Sequence, residues 1–346
     1  MKAKRKYNFY RLTEGINMEK DFLNLIQKEF PIEERPFLEL AKKLNSSEEE
    51  VLNLYKKLKE DKIIRQTSAI FDTKSLGYDS SLVAFMVDDI ESAAKFINTH
   101  PGVSHNYERD NEFNLWFTIA VEPESKLGLK KTVEIMAKKT NAKDFIILPT
   151  KKMFKISVTL DVKGDRAKKE KIIQKRKVEM KLSPLHFDMI KLLQEDIKPV
   201  KEPFLEIVKK LDIDYETLKK EAKRMQEAKI MRRFASILYH RRAGFKANAM
   251  VVWSVDENKA EEIGKRVAEF SAVSHCYLRP VYPNWPYPLF SMIHAKSKEE
   301  VEEVVESIKK EIEPKDYKYL YSTREFKKQR IKYFSDEFKK WERENG

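Results

Sequence analysis

The chain of 346 residues has a single cysteine, Cys276. One thiol excludes an internal disulfide, and no Cys-x-x-Cys pair exists to hold a metal or run a redox couple. No apolar run approaches the ~20 residues needed to cross a bilayer, which excludes a membrane span. The opening stretch "MKAKRKYNFYRLTEG" is basic but lacks the apolar segment of a secretion signal. The chain therefore reads as cytoplasmic. Carboxylates are outnumbered: 56 Asp and Glu stand against 69 Lys and Arg, for a net charge of +13. That imbalance favours an anionic partner: nucleic acid, anionic lipid or a small polyanion. Hydrophobic residues are 41% and aromatics 11% of the chain, enough to exclude disorder and build real cores.

What is present is a duplication. "RPFLELAKKLN" from Arg35 returns as "EPFLEIVKKLD" from Glu202. "IIRQTSAIFDTKSLGY" from Ile63 returns as "IMRRFASILYHRRAGF" from Ile230, at the same offset of 167. "GVSHNYER" from Gly102 returns as "AVSHCYLR" from Ala272, at an offset of 170. The blocks keep their order, at a period too long for a solenoid. The joint is placed in the charged bridge Asp161 to Lys181, read as a solvated linker or surface helix.

Each half reads the same way. Helical patterns cover Glu19–Glu29, Pro36–Leu44 and Ser47–Glu60, with Pro36 suited to a first turn and Ser46 or Ser47 to an N-cap. Val51, Leu54, Tyr55 and Leu58 follow helical spacing. Together these make a helix-turn-helix. Strand-prone pieces follow at Ser81–Val87, Gly102–Arg109, Phe113–Val121 and Phe145–Leu148, the last reaching toward Val158, with helical patterns at Ile90–Thr99 and Leu127–Lys139. The second half offers strands near Ala249–Val255, Val273–Arg279, Leu289–Ala295 and Tyr317–Tyr321. The order β-α-β-β-α-β is ferredoxin-like. The fold class expected is α+β: two tandem copies of a winged-helix-like helix-turn-helix, each followed by a ferredoxin-like domain, forming a pseudo-dimer. The boundaries expected are a basic tail over 1–17, helix-turn-helix 18–66, ferredoxin-like domain 67–160, linker 161–182, helix-turn-helix 183–233, ferredoxin-like domain 234–325 and a C-terminal helix 326–346.

Side chains alternate along a strand. Val103, His105, Tyr107 and Arg109 should share one face, and Val273, His275, Tyr277 and Arg279 the equivalent one. At ~3.3 Å per residue, His and Arg lie about 13 Å apart, a span that suits a wide flat ligand better than one small carboxylate. The competing reading is a hydrogen-bonded core or interface histidine, and duplication alone can preserve a pair. A second signal is arginine, which grips carboxylates bidentately and stays charged. Arg65, Arg232 and Arg233 end the helix-turn-helix modules, and His240, Arg241 and Arg242 sit in a turn. A solvated charge or local ion pair competes at each. "PVYPNWPYPLF" lengthens the second half's β-connection by four residues. Its prolines lower the entropy lost on ordering, and Trp285, Tyr282 and Tyr287 offer flat surface. It reads either as a cover for a flat ligand or as a lid over the neighbouring core. Cys276 reads as a buried small residue.

The helix-turn-helix followed by a ferredoxin-like domain resembles the Lrp/AsnC superfamily. "PGVSHNYERDNEFNLWFT" resembles the alpha subunit of the siroheme decarboxylase family, and "ANAMVVW", "VSHCYLRPVYPNWPYPLFSMIHA" and "YLYSTREFKKQRIKYF" its beta subunit, here joined in one chain. The resemblance implies conversion of siroheme to 12,18-didecarboxysiroheme, with two acetate carboxyl groups lost as carbon dioxide, in haem or haem d1 formation. It implies siroheme as partner, intramolecular pairing of the halves with a further homo-oligomer left open, and no cofactor beyond the iron that siroheme carries. His105 or His275 would give a proton or ligate that iron, and Arg109 or Arg279 would fix a carboxylate. Tyr107, Tyr277, Arg65, Arg232, Arg233, His240, Arg241, Arg242, Trp285 and Tyr287 would bind the substrate. Two other readings stay open: a DNA-binding regulator, and a tetrapyrrole-binding protein without turnover. Glutamates at the start of "NSSEEEVLNLY" would face phosphates, which disfavours DNA.

Overall fold

The computed structural model describes residues 18–156, 179–239, 247–295 and 297–346. The basic tail, residues 161–178 of the bridge, Val158, His240, Arg241 and Arg242 lie outside the described residues. The chain divides into two units, Met1–Leu76 with Arg176–His240, and Gly77–Lys175 with Arg241–Gly346.

The first unit holds α1 (18–28), α2 (Pro36–Leu44), α3 (Glu48–Glu60) and β1 (Ile64–Phe71) from the first half. In α2, Pro36 takes the first turn, where its missing N–H costs nothing. Ser47 starts α3 in a capping box with Glu50, and Arg35 grips Glu48. Glu48 and Glu50 of this helix start are thus spent on an ion pair and on capping. Val51, Leu52, Tyr55 and Leu58 are buried. Leu52 rather than Leu54 completes the apolar stripe, because Leu54 sits half-buried at its edge.

The second half adds α6 (Pro184–Leu193), α7 (Leu205–Leu211), α8 (Tyr215–Glu227) and β7 (Met231–Leu238) to this unit. The boundaries expected after residues 66 and 233 cut through β1 and β7, giving each strand's start to a helical module and its end to a ferredoxin-like domain. Instead the two strands pair antiparallel as a two-stranded sheet, with Thr67 opposite Ser236. Their hydroxyls meet at 2.6 Å, and Tyr55 donates to Thr67 at 2.8 Å. Pairing is what makes strands of them: alone, either polar-rich segment would leave its backbone groups unmet.

The second unit carries both ferredoxin-like domains. The first supplies β2 (Asp79–Met86), α4 (Ile90–Ile97), β3 (Val103–Arg109), β4 (Leu115–Val121), α5 (Gly128–Lys139), β5 (Asp144–Pro149) and β6 (Lys152–Ile156). The second supplies β8 (Ala247–Ser254), α9 (Ala260–Glu269), β9 (Val273–Leu278), β10 (Leu289–Ala295), α10 (Lys298–Ile312), β11 (Asp316–Leu320), β12 (Ser322–Lys328) and α11 (Glu337–Asn345). The two sheets run β12-β3-β4-β2-β5 and β11-β8-β10-β9-β6. Each therefore ends on a strand from the other half. The expected C-terminal helix over 326–346 is accordingly shorter, since its first residues belong to β12.

The exchanged strands are fastened alike. Lys155 of β6 donates to the Phe270 carbonyl at 3.0 Å, and Lys327 of β12 to that of Asn98 at 2.8 Å. Phe154 packs against Gly264, where a Cβ would sit 2.3 Å from the ring. Helices cover the outer face of each sheet, over cores that include Phe85, Phe117, Val133 and Met136 in one and Val251, Trp253, Val267 and Val305 in the other. A third core, with Leu82, Trp116, Leu148, Val252, Phe290 and Leu320, joins the inner faces.

Candidate functional site

The strand β3 does not alternate evenly from its start. Val103 pairs with Ile119 and His105 with Thr118, so Ser104 is an extra residue. On β9, Val273 pairs with Ile293 and His275 with Met292, which leaves Ser274 extra in the same way. A bulge of this kind turns the side chains that follow. The expectation that Val103 and Val273 share the histidine face is therefore corrected. Both valines lie in the helix-side cores, with Cys276 beside Val273. Burial pushes the Cys276 thiol up to about 12, which removes it as a nucleophile.

Each bulge serine engages its neighbouring imidazole. Ser104 Oγ lies 3.0 Å from Nδ1 of His105, and Ser274 Oγ 2.7 Å from Nδ1 of His275. Anchoring Nδ1 orients the ring, and Nε2 lies on its opposite side. The His105 and Tyr107 rings stand 6.1 Å apart, as do those of His275 and Tyr277.

Arg109 and Arg279 are 5% and 8% exposed. Their partners are reciprocal: Nη1 of Arg109 donates to the carbonyl of Leu320, and Nη1 of Arg279 to that of Leu148. Leu148 and Leu320 hold equivalent places on β5 and β11. Tyr107 and Trp116 flank one guanidinium, Tyr277 and Phe290 the other. Neither has a carboxylate partner among the described residues, and neither Nε has a hydrogen bond there. Burial lowers both pKa values to about 10, so both remain charged near neutrality. A buried, uncompensated guanidinium is costly. It is the expected state of a group built to meet an anion.

Both sets line one cavity of about 660 Å³. Leu82, Met250, Trp116, Phe290 and Met292 give it an apolar wall. Arg324, Glu325 and Lys328 of β12 add charge. Arg324 is ion-paired with Glu91 and, at 2.9 Å, with Glu108, so the charge offered to an anion rests chiefly on Arg109 and Arg279, and with its apolar wall the cavity suits a large, partly apolar polyanion. The β12 residues were missed in sequence. Their signal was the basic strand end "STREFKK", but its position next to β3 depends on the exchange. His294 on β10, also on the wall, was missed because nothing in its spacing marked it.

Other expected residues go elsewhere. Trp285 and Tyr287 are 1% and 3% exposed and belong to the core between the inner faces. Trp285 packs on Phe113 and Trp116, and Tyr282 donates to the Ile147 carbonyl at 2.6 Å. The proline-rich loop is therefore a plug of the inter-sheet core rather than a cover for the cavity. Arg65, Arg232 and Arg233 belong to the first unit's strands and are not among the cavity residues. Arg232 is held by Asp72 at 2.6 Å. Among the described residues no His, Cys, Asp and Glu cluster is placed to hold a metal ion, and no helix is long and apolar enough to cross a membrane.

Residues 75–155 and 242–327 match the AsnC-like ligand binding domain, and residues 19–65 the siroheme decarboxylase NirDL-like HTH domain. The siroheme decarboxylase of Hydrogenobacter thermophilus (strain DSM 6534 / IAM 12695 / TK-6) is 43% identical over 93% of this chain and 96% of its own length. The crystal structure of the siroheme decarboxylase NirDL is similar at a TM-score of 0.75 and 38% identity, over 94% of this chain and 97% of that one. The same enzyme in co-complex with an iron-uroporphyrin III analogue gives the same score and identity, over 94% of this chain and 98% of that one. With likeness running through the helical modules, both ligand-domain copies and nearly the full length, this chain belongs to the siroheme decarboxylase family.

Proposed function

We propose that the chain is a carboxy-lyase that converts siroheme to 12,18-didecarboxysiroheme, releasing two acetate carboxyl groups as carbon dioxide. The observation that carries this reading is the pair of buried arginines with no carboxylate partner among the described residues, opening on one cavity. Siroheme is flat, large and rich in carboxylates, which matches the apolar wall and surplus positive charge. The solved relative bound to an iron-uroporphyrin III analogue supports the same ligand class.

Chemically the demands are modest. Guanidinium contacts hold carboxylates that stay, while the leaving one sits where water is scarce. The bond between methylene and carboxylate breaks, and its electron pair remains on the methylene carbon, delocalised into the ring. A general acid then delivers a proton to make the methyl. His105 or His275 is suited, because imidazole titrates near working pH. Iron ligation is the alternative role open to one of these imidazoles. No cofactor beyond that iron is required, and the reaction belongs to the cytoplasm.

Purified chain incubated anaerobically with siroheme, followed by mass spectrometry, should show loss of two carbon dioxide equivalents. No mass loss would reject the activity, and a spectral change without mass loss would leave binding alone. Unchanged turnover in both His105→Ala and His275→Ala would reject the catalytic assignment.

A further inference from the structure

The cavity is lined by the same three groups twice: His105, Tyr107 and Arg109 on β3 match His275, Tyr277 and Arg279 on β9. Ser104 and Ser274, each at a bulge, back the two imidazoles in the same way. Nearby wall positions have diverged. Strand pairing makes Thr118 the counterpart of Met292, because they face Leu82 and Met250, and makes Ala120 the counterpart of His294, because they face Ser80 and Asn248. Duplication by itself has therefore not kept the wall constant. The two sets are also related by a rotation rather than a shift. Each arginine donates to the other half's equivalent leucine carbonyl, and each half lends its last strand to the other's sheet. Such reciprocity is the mark of a two-fold axis.

The substrate of the proposed reaction has a matching local symmetry. Its two departing acetates, at positions 12 and 18, sit on neighbouring rings, each beside a propionate, on either side of one bridging carbon. A half-turn about the in-plane axis through that carbon exchanges the two acetates and the two propionates. The remaining rings break this symmetry.

We propose that the substrate lies with this axis along the protein's own, so that each half serves one acetate. This rests on the siroheme reading above. The arginine of each half holds the neighbouring propionate. Gripping the leaving carboxylate instead would stabilise the ground state and slow its departure. At each centre the carbon–carbon bond breaks, carbon dioxide leaves, and the electron pair takes a proton from that half's histidine, which is reprotonated from water. One proton is consumed per carbon dioxide, and no oxidant or reductant is needed. Both losses occur without the macrocycle turning over between them.

The test is anaerobic single turnover with the enzyme in excess over siroheme, resolving products by mass and by chromatographic or NMR identification of the isomers. Wild type should lose two carbon dioxide equivalents. His105→Gln and His275→Gln should each stop after one, slowing the other loss by at least about 10²-fold, and should accumulate different monodecarboxylated isomers. Ser104→Ala and Ser274→Ala, which keep the imidazole, should each slow one loss only, at the matching acetate. The same isomer from both histidine variants, or one variant abolishing both losses while the other spares both, would overturn the two-centre arrangement and leave the activity standing. No carbon dioxide from wild type would remove the activity itself, and this inference with it.

Discussion

The strands β3 and β9 carry one sequence pattern but are finished by different neighbours. β3 is flanked by β12, which sets Glu325 opposite Tyr107 and Lys328 opposite His105. β9 is flanked by β6, which sets Met153 opposite Tyr277 and Ile156 opposite His275. Upstream, the buried His100 of the first half stands where the second has the buried Phe270. Across the connection to the next strand, only the second half has the proline-rich plug. The reactive groups belong to the frame that duplication copied. The polarity around them belongs to what each half has changed since.

The largest expected difference lies in the plug. Trp285→Ala removes a ring buried between the inner faces and should cost roughly 3–5 kcal/mol of stability. Denaturant melting measures it, and a loss below about 1 kcal/mol would contradict a core role for the ring.

Next comes His100, which packs 4.6 Å from the Trp341 ring and accepts from the Gly102 N–H at 3.0 Å. Burial, helped by the nearby Lys327 charge, lowers its pKa to about 3. The unfolded chain, with its histidine near 6.5, takes up the proton first. Stability is therefore full above about pH 6.5 and is lost as pH falls toward 3, by on the order of 3 kcal/mol at pH 4. His100→Phe, which installs the second half's residue, should remove that slope in urea melts at pH 7, 5.5 and 4. An unchanged slope would assign the acid sensitivity elsewhere.

The arginines should behave alike. Arg109→Met and Arg279→Met should each weaken tetrapyrrole binding by roughly 10- to 100-fold. Folding stability should stay within about 1 kcal/mol of wild type, because removing an uncompensated buried charge offsets the lost carbonyl contact. Optical titration and melting test both, and a loss confined to one arginine would break the equivalence of the halves.

The smallest effect concerns Tyr107, whose pKa is pushed up to about 12 by burial and then by Glu325. Glu325→Met copies the residue of β6 and should bring the phenol partway back toward its ordinary value, seen as an ultraviolet difference titration against wild type. A further rise would exclude the carboxylate as a cause.

Much of this was legible in the sequence because duplication printed it twice. The histidine, tyrosine and arginine of "VSHNYER" and "VSHCYLR" reach the cavity as alternation implies. The valines do not, because an extra residue in a strand leaves no trace in side-chain pattern. The aromatic plug misled for a related reason: flat apolar rings serve a ligand and an inter-sheet core equally well, and only burial tells them apart. Arg65, Arg232 and Arg233 looked like anion ligands, but charge type alone cannot assign a residue to a unit. The edge strands β6 and β12 were hardest, since pairing over such distances along the chain has no local signature.

Those edge strands also set the timing of assembly. Arg109 is separated from its strand partner Ser322 by most of the polypeptide. As the chain leaves the ribosome, the first ferredoxin-like domain has its helices and four of its own strands, but its fifth does not yet exist. Its open edge by β3, next to the future cavity, must wait until β12 is made. Closing such long loops is slow, and an unpaired edge invites the wrong partner. The cavity is thus among the last parts of the molecule to be completed, and no chain cut short of β12 can present it.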